Sequence, residues 1–371
     1  MGDALQILPV TGLGRIAPGD DLAEIITSAA PWLRDGDILV VTSKIVSKAE
    51  GQLVEIPEAG PERGAAREQV LTEQTARPVA RRGQTAIVAT HHGFVMAAAG
   101  VDNSNVDPSQ LVLLPKDPDA SARALRATLA ERYGLAVAVI VSDTMGRPWR
   151  IGLTDVALGA AGIEPILDHR GEVDPYGNEL HLTQMAVIDE LAAAAELVKG
   201  KCDGVPVAVV RGYLGQAPAD DGPGAQALIR DSASDLFSLG TAEARATGLA
   251  EAARLPYTVA FDSHDLDPVV VAGALAGINV AGSTVVRLLA TAGSSGAVIR
   301  CSARGEPAHL VALGIDVHRL RCALAAAGLA TALVPFEFDD DLGHDGDDEG
   351  AWESVAIAVG REQANHGEMS G

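Results

Sequence analysis

The chain has 371 residues and a formal net charge of −22, an acidic excess that repels a phosphate backbone and argues against nucleic-acid binding. Its three cysteines, Cys202, Cys301 and Cys322, are widely spaced, form no C-x-x-C pair and imply no disulfide framework. No run of eighteen apolar residues and no charged-then-apolar leader at Met1 occurs, so no membrane contact is expected and a cytoplasmic protein is.

In chain order, residues 5–9 read as a first strand, followed by Gly12-Leu-Gly14, a weak glycine signal when alone. Residues 22–32 are predicted to be helical. The β-branched run 38–42 is predicted to be a strand that empties into Ser43-Lys44. If a helical turn follows, Ser43 and Ser47 share a face, as do Lys44 and Lys48. Hydroxyls and ammoniums at a strand end suit phosphate; a solvated turn with surface lysines is the alternative. A loop is expected over 56–61 and a strand over 85–90. The adjacent His91 and His92 are read as loop or edge residues, because neighbours on a strand point to opposite faces.

The apolar run 94–101 leads into Asp102-Asn-Ser-Asn105, which reads as metal ligands, ribose partners or an Asx-turn. Residues 120–133 are predicted to form a helix with Asp119 placed to cap it. A buried strand over 137–142 ends at Asp143-Thr144. An acidic residue just past such a strand can hold Mg²⁺ against phosphates, or can simply cap. Arg147 and Arg150 flank Trp149 and can grip phosphate or carboxylate. No G-x-x-x-x-G-K-[ST] pattern occurs, so a nucleotide site here is of a non-P-loop kind.

Loops are expected over 168–179 and 215–224, helices over 184–198 and 242–254, and a strand over 205–211. The alternation of strands and helices predicts an α/β or mixed α+β class. Composition changes near residue 247, which divides the chain into domains 1–247 and 248–371. The acidic run 337–349 reads as a solvated loop.

These segments, together with Ile7-Leu-Pro-Val-Thr-Gly-Leu13, Ala29-Ala-Pro-Trp-Leu-Arg-Asp-Gly-Asp37, Asp174-Pro-Tyr-Gly-Asn-Glu179 and Pro206-Val-Ala-Val-Val-Arg-Gly212, resemble the coenzyme F420-0:L-glutamate ligase (gamma-glutamyl ligase) family. The resemblance covers about residues 5–245 and is strongest to the N-terminal half of the actinobacterial two-domain members. It implies a non-P-loop gamma-glutamyl ligase fold in a homodimer. It implies GTP as phosphate donor, Mg²⁺ or Mn²⁺ as metal, K⁺ as a further candidate cation, and L-glutamate and F420-0 as substrates. Leu13, Gly14, Arg15 and Ile16 would line the nucleotide, Ser43, Lys48 and Asn105 would contact GTP, and Asp102, Asp143 and Thr144 would hold the metal. Lys48 and Asp143 would carry the catalytic roles. Two other readings stay open: a GTP-dependent ligase for another carboxylate acceptor, and a catalytically silent GTP-binding scaffold.

Two departures from the family pattern stand out. Archaeal members carry Met-Gly-Gln, with the Gln on metal, where this chain has Lys199-Gly200-Lys201; a protonated lysine cannot ligate metal but can face phosphate. Residues 248–371 are shorter than the flavin-binding, nitroreductase-like domain of the two-domain members. They are expected to be a reduced remnant of it, without flavin.

Overall fold

The computed structural model describes residues 4–256, 261–262, 266, 268–290, 297–334 and 352–362. The chain divides into two compact units, Met1–Glu243 and Ala244–Gly371. In the first, β1 (Gln6–Val10), α1 (Leu22–Ala29), β2 (Ile38–Thr42) and α2 (Ser43–Ala49) come first. An inserted lobe follows: β3 (Leu53–Glu55), α3 (Pro61–Glu73), β4 (Thr75–Arg82), β5 (Thr85–Thr90), β6 (Val95–Ala97) and β7 (Gln110–Val112). Then come α4 (Pro118–Tyr133), β8 (Ala138–Arg147), β9 (Arg150–Ala161), β10 (Leu167–Asp168), β11 (Gln184–Met185), α5 (Val187–Lys199) and β12 (Val207–Arg211).

The central sheet has the order β1-β12-β2-β8-β9. Only β2 and β8 run parallel, in register from Ile38↔Ala138 to Thr42↔Ser142. The run Ile38-Leu-Val-Val is apolar throughout because both faces of the sheet are covered. Leu39, Val41, Val139, Val141, Val207 and Val209 pack with Ile26 of α1 and Leu129 of α4. Ile38, Val40, Ala138, Ile140, Ala208 and Val210 pack on the other side with Ile188, Leu191 and Ala195 of α5. The fold is thus the mixed α/β layer structure expected, and the first polar residues past this core, Ser43 and Lys44, emerge where β2 ends. The inserted lobe folds around its own core of Ile56, Val70, Val88, Val101 and Leu111.

Three expectations about element ends need correction. The strand through Val141 does not stop before Asp143. It continues to Arg147 because β9 keeps pairing with it beyond the end of β2, through Asp143↔Val156, Thr144↔Asp155 and Gly146↔Leu153. Asp143 and Thr144 therefore sit within a hairpin strand. The cap of α4 is Asp117, whose Oδ1 accepts from the Ala120 N–H at 2.8 Å. Asp119 is instead a buried strut accepting from the amides of Ala160 (2.8 Å) and Ala225 (2.7 Å). Finally, α1 ends at Ala29 and not at Trp32, since Pro31 disfavours helical geometry at Ala30.

α6 (Thr241–Ala253) carries the chain into the second unit. That unit holds β13 (Phe261–Asp262), α7 (Pro268–Leu275), β14 (Val285–Ala290), β15 (Ala297–Arg304), α8 (Pro307–Ala326), β16 (Leu329–Val334) and β17 (Trp352–Glu362). Its sheet is β13-β17-β15-β14, with β16 also paired to β17. Ile299, Cys301 and Ile357 pack under Leu313, Val317, Leu320 and Leu324 of α8. The acidic run 337–349 lies outside the described residues. Cys202, Cys301 and Cys322 are free thiols. Among the described residues no helix is long and apolar enough to cross a membrane.

Candidate functional site

Two segments converge where β2 gives way to α2. Lys44 and Lys48 lie one turn apart on α2, as their spacing predicts. Opposite them is the loop that follows β6. Ala98, Ala99 and Gly100 turn left-handed in succession, at φ +50°, +52° and +71°. The chain then locks at Asp102, which exchanges both backbone hydrogen bonds with Val112 at 2.8 and 3.0 Å. The Lys44 ammonium ion-pairs with Asp102 and donates to Ser104 Oγ at 2.6 Å. The Ser104 amide and hydroxyl each donate to the same carboxylate at 2.8 Å. Burial raises the pKa of Asp102, but Lys44 and Ser104 outweigh it and leave the carboxyl below its usual range. Lys48 Nζ donates to the Asn105 carbonyl at 2.6 Å. Burial lowers the Lys48 pKa, and the charges of Lys44 and Arg15 lower it further. Positive charge from Lys44, Lys48 and Arg15 thus gathers near this strand end in an otherwise acidic chain.

Asp143 faces this cluster from β8. Burial pushes its carboxyl up to about 6, and repulsion from Asp155 adds to the rise; the Thr144 N–H at 2.8 Å, Lys44 and the Ser43 hydroxyl work against it. Such a carboxylate lacks compensating positive charge, which is what a hard cation supplies.

A polar network lies behind Thr144. Thr144 Oγ1 donates to Asp155 Oδ1 at 2.6 Å, and Ser142 Oγ donates to Asp155 Oδ2 at 2.9 Å. Lys199 Nζ reaches Asp155 Oδ2 at 2.8 Å and Ser142 Oγ at 2.9 Å, and both charged side chains are only 2% exposed. Burial raises the Asp155 pKa, and the Lys199 charge and these hydrogen bonds bring it below the ordinary value. Lys201 Nζ donates to Thr144 Oγ1 at 2.5 Å and pairs with Glu196 at 2.6 Å. Sequence reasoning missed Ser142, Asp155, Glu196 and Lys199. The available signal was a lone Asp inside the apolar strand 150–161 and a Lys ending the apolar helix that begins at Val187, since buried charges are rare without a partner.

From the predicted set, Lys48 meets Asn105, Asp102 meets Lys44, and Asp143 is reached by Ser43 and Lys44, whereas the Thr144 hydroxyl is engaged by Asp155 and Lys201. Asn105 takes part through its carbonyl, at φ +58°. Of the loop after β1, Gly14 and Arg15 are exposed, while the Leu13 and Ile16 side chains pack against the core and leave only backbone to a ligand. Arg147 and Arg150 are not gathered. They face each other across the exposed turn of the β8–β9 hairpin, about 13 Å along the strand from Asp143 at the usual rise per residue. A cavity of about 290 Å³ lined by Ile163, Val187, Tyr213, Leu214 and Pro218 lies at the far end of the sheet, away from this chemistry. Among the described residues no three His, Cys, Asp or Glu side chains converge. The donors are two carboxylates with neighbouring hydroxyls, a set that fits Mg²⁺, which completes its shell with phosphate and water oxygens.

The family model for "F420-0:Gamma-glutamyl ligase" matches residues 12–212, the span that builds this site. The chain belongs to that family. It is similar to proteins named coenzyme F420:L-glutamate ligase in several archaea. It is 43% identical to that of Methanothermobacter thermautotrophicus over 251 residues, which is 63% of this chain and 98% of the relative. The Methanopyrus kandleri protein is 42% identical over 249 residues, covering 63% and 97%. The Haloarcula marismortui protein is 39% identical over 249 residues, covering 62% and 95%. The gamma-glutamyl ligase part of the chain accounts for nearly the whole length of these relatives.

Proposed function

We propose that the chain is a GTP-dependent ligase that adds L-glutamate to coenzyme F420-0 and extends a gamma-linked glutamate tail. The observation that carries this reading is the gathering of Lys44, Lys48 and Arg15 with Asp102 where β2 ends, faced by the half-buried Asp143 of β8. Family membership and the relatives' names support the acceptor and the amino acid; the basic cluster supports a nucleotide polyphosphate.

A carboxylate does not react with an amine at neutral pH without activation. In the proposed course the γ-phosphoryl group of GTP passes to the acceptor carboxylate, and the glutamate amine then attacks the acyl phosphate and expels phosphate. Lys48 and Arg15 hold the phosphates and offset charge on the group in transfer. Ser43 and the amides after β1 position the nucleotide, and the exposed Arg15 flanks it. Asp102, Asp143 and Thr144 would hold Mg²⁺ or Mn²⁺, which would neutralise phosphate charge as a Lewis acid. Asp155, held by Lys199, accepts the Thr144 hydroxyl proton, and Lys201 donates to the same oxygen and would have to yield it for Thr144 to serve a metal. A homodimer is part of the proposal, supported by Trp149, Ile151 and Leu153, which stand 90%, 102% and 68% exposed on the β8–β9 hairpin of the single chain.

The test is incubation with GTP, Mn²⁺, L-glutamate and F420-0, followed by mass spectrometry. Stepwise glutamate additions that require GTP are expected. GTP turnover with a different carboxylate only, or nucleotide binding without any turnover, would overturn the acceptor assignment or the enzymatic reading respectively.

A further inference from the structure

We infer that Lys44 is a placeholder cation: without metal its ammonium occupies Asp102, and it passes to the nucleotide phosphates when a divalent cation takes that carboxylate. The inference rests on the metal and GTP reading above. Lys44 Nζ contacts Asp102 Oδ2, the oxygen that also receives the Ser104 hydroxyl, while Oδ1 is taken by the Ser104 amide. A metal arriving at this carboxylate meets a like charge already in contact, so one cation must leave. Lys44 can leave, because its flexible four-carbon stem is rooted on a helix that faces the same space, and its side chain is 22% exposed.

The other lysines of the site are held differently. Lys48 rests on a neutral carbonyl, that of Asn105, and Lys201 rests on the neutral Thr144 hydroxyl with Glu196 as its counterion. Moving Lys48 uncovers no ligand of the proposed metal set, and moving Lys201 uncovers the Thr144 hydroxyl but no carboxylate. Lys44 is therefore the side chain whose position couples the two ligands. Without nucleotide, metal must displace it toward solvent. With nucleotide, the phosphates receive it. The two ligands then strengthen each other's binding reciprocally.

The experiment is Mn²⁺ binding by electron paramagnetic resonance and calorimetry, with and without a non-hydrolysable GTP analogue. The proteins compared are the full chain and its Lys44→Met, Lys44→Gln and Lys48→Met variants, each checked for a native melting transition. Without nucleotide, both Lys44 variants should bind Mn²⁺ about tenfold more tightly than wild type. Lys48→Met, which removes the same charge without freeing a carboxylate, should change it by less than about threefold. With the analogue present, the advantage of the Lys44 variants should shrink or reverse. Unchanged or weaker nucleotide-free binding in both Lys44 variants overturns the inference alone, as does equal tightening in Lys48→Met, which would mean general charge and not occupancy of Asp102. Absence of Mn²⁺ binding from wild type even with the analogue overturns the metal reading and the inference together.

Discussion

At Asp143, burial and function pull against each other. Its folded pKa, about 6, lies above the ordinary 3.8. The native state therefore holds the proton more tightly than the unfolded chain. The stability this contributes is complete below the ordinary value and is lost as pH rises through about 6. In chelator at pH 7.5, Asp143→Asn should accordingly melt above wild type, by an amount on the order of 2 kcal/mol. The gap should close on acidification toward pH 4. In the presence of Mn²⁺ and GTP the same variant should lose glutamate addition by about two orders of magnitude, since an amide is a poor ligand for a hard cation. Thermal melts and turnover measured on one preparation decide the matter. A variant no more stable than wild type in chelator would mean that the carboxylate is compensated in some other way.

Elements place these side chains, and two of them do so at a cost. The loop reaching Asp102 spends three consecutive residues in the left-handed region, two of them alanines. Gly100 is needed there twice over: its φ is +71°, and a Cβ would lie 2.7 Å from the Leu114 side chain. Gly100→Ala should cost about 1–3 kcal/mol and weaken metal and GTP binding. Leu114→Ala alone removes packing from a buried cluster and should cost about 2–5 kcal/mol, so clash and strain are separated by the coupling between the two changes. Gly100→Ala should cost less in the Leu114→Ala background than in wild type but still destabilise it; no cost at all in that background would remove strain from the account. Behind the site, Lys199→Met should cost about 3–5 kcal/mol in the same assay, because it leaves the Asp155 charge buried without its counterion. The further change Asp155→Asn should restore much of that loss, whereas turnover should stay low because Thr144 is no longer oriented. Similar stability of Lys199→Met and wild type would show that water solvates Asp155.

At the scale of the whole molecule, the site, both faces of its sheet and the inserted lobe all lie in the first unit, Met1–Glu243. α6 begins inside that unit, where Glu243 pairs with Arg77 at 2.5 Å and accepts from the Gly240 amide at 2.8 Å. A chain cut before Glu243 would lose this anchor and one cut soon after it would leave the helix that carries Glu243 incomplete, so the informative shortened protein keeps α6 and ends at Ala253. It should melt cooperatively and keep glutamate addition within about threefold of the full chain, since no proposed ligand is removed. Calorimetry and the mass-spectrometric assay test this. A folded but inactive product, or one making a different tail length, would give the second unit a part in the acceptor site. Intact protein that purifies yellow would likewise overturn the expectation that residues 248–371 hold no flavin.

The sequence by itself determined what depends on neighbours along the chain. The Ile38–Thr42 strand, the lysine spacing that follows it and the linear motifs that mark the family are all local patterns, and they singled out Ser43, Lys48, Asp102 and Asp143 as candidates. Tertiary structure decided what depends on partners far along the chain. Asp119 looked like a cap because it precedes a helix, yet it is a strut for amides 41 and 106 residues away. Asp143 looked like a strand end because the apolar run stops there, yet β9 pairing carries the strand onward. Asp155 and Lys199 are 44 residues apart and gave no joint signal. Their role exists only because a hairpin and a helix end bury two opposite charges at one point, and pairing across that distance follows from packing rather than from periodicity.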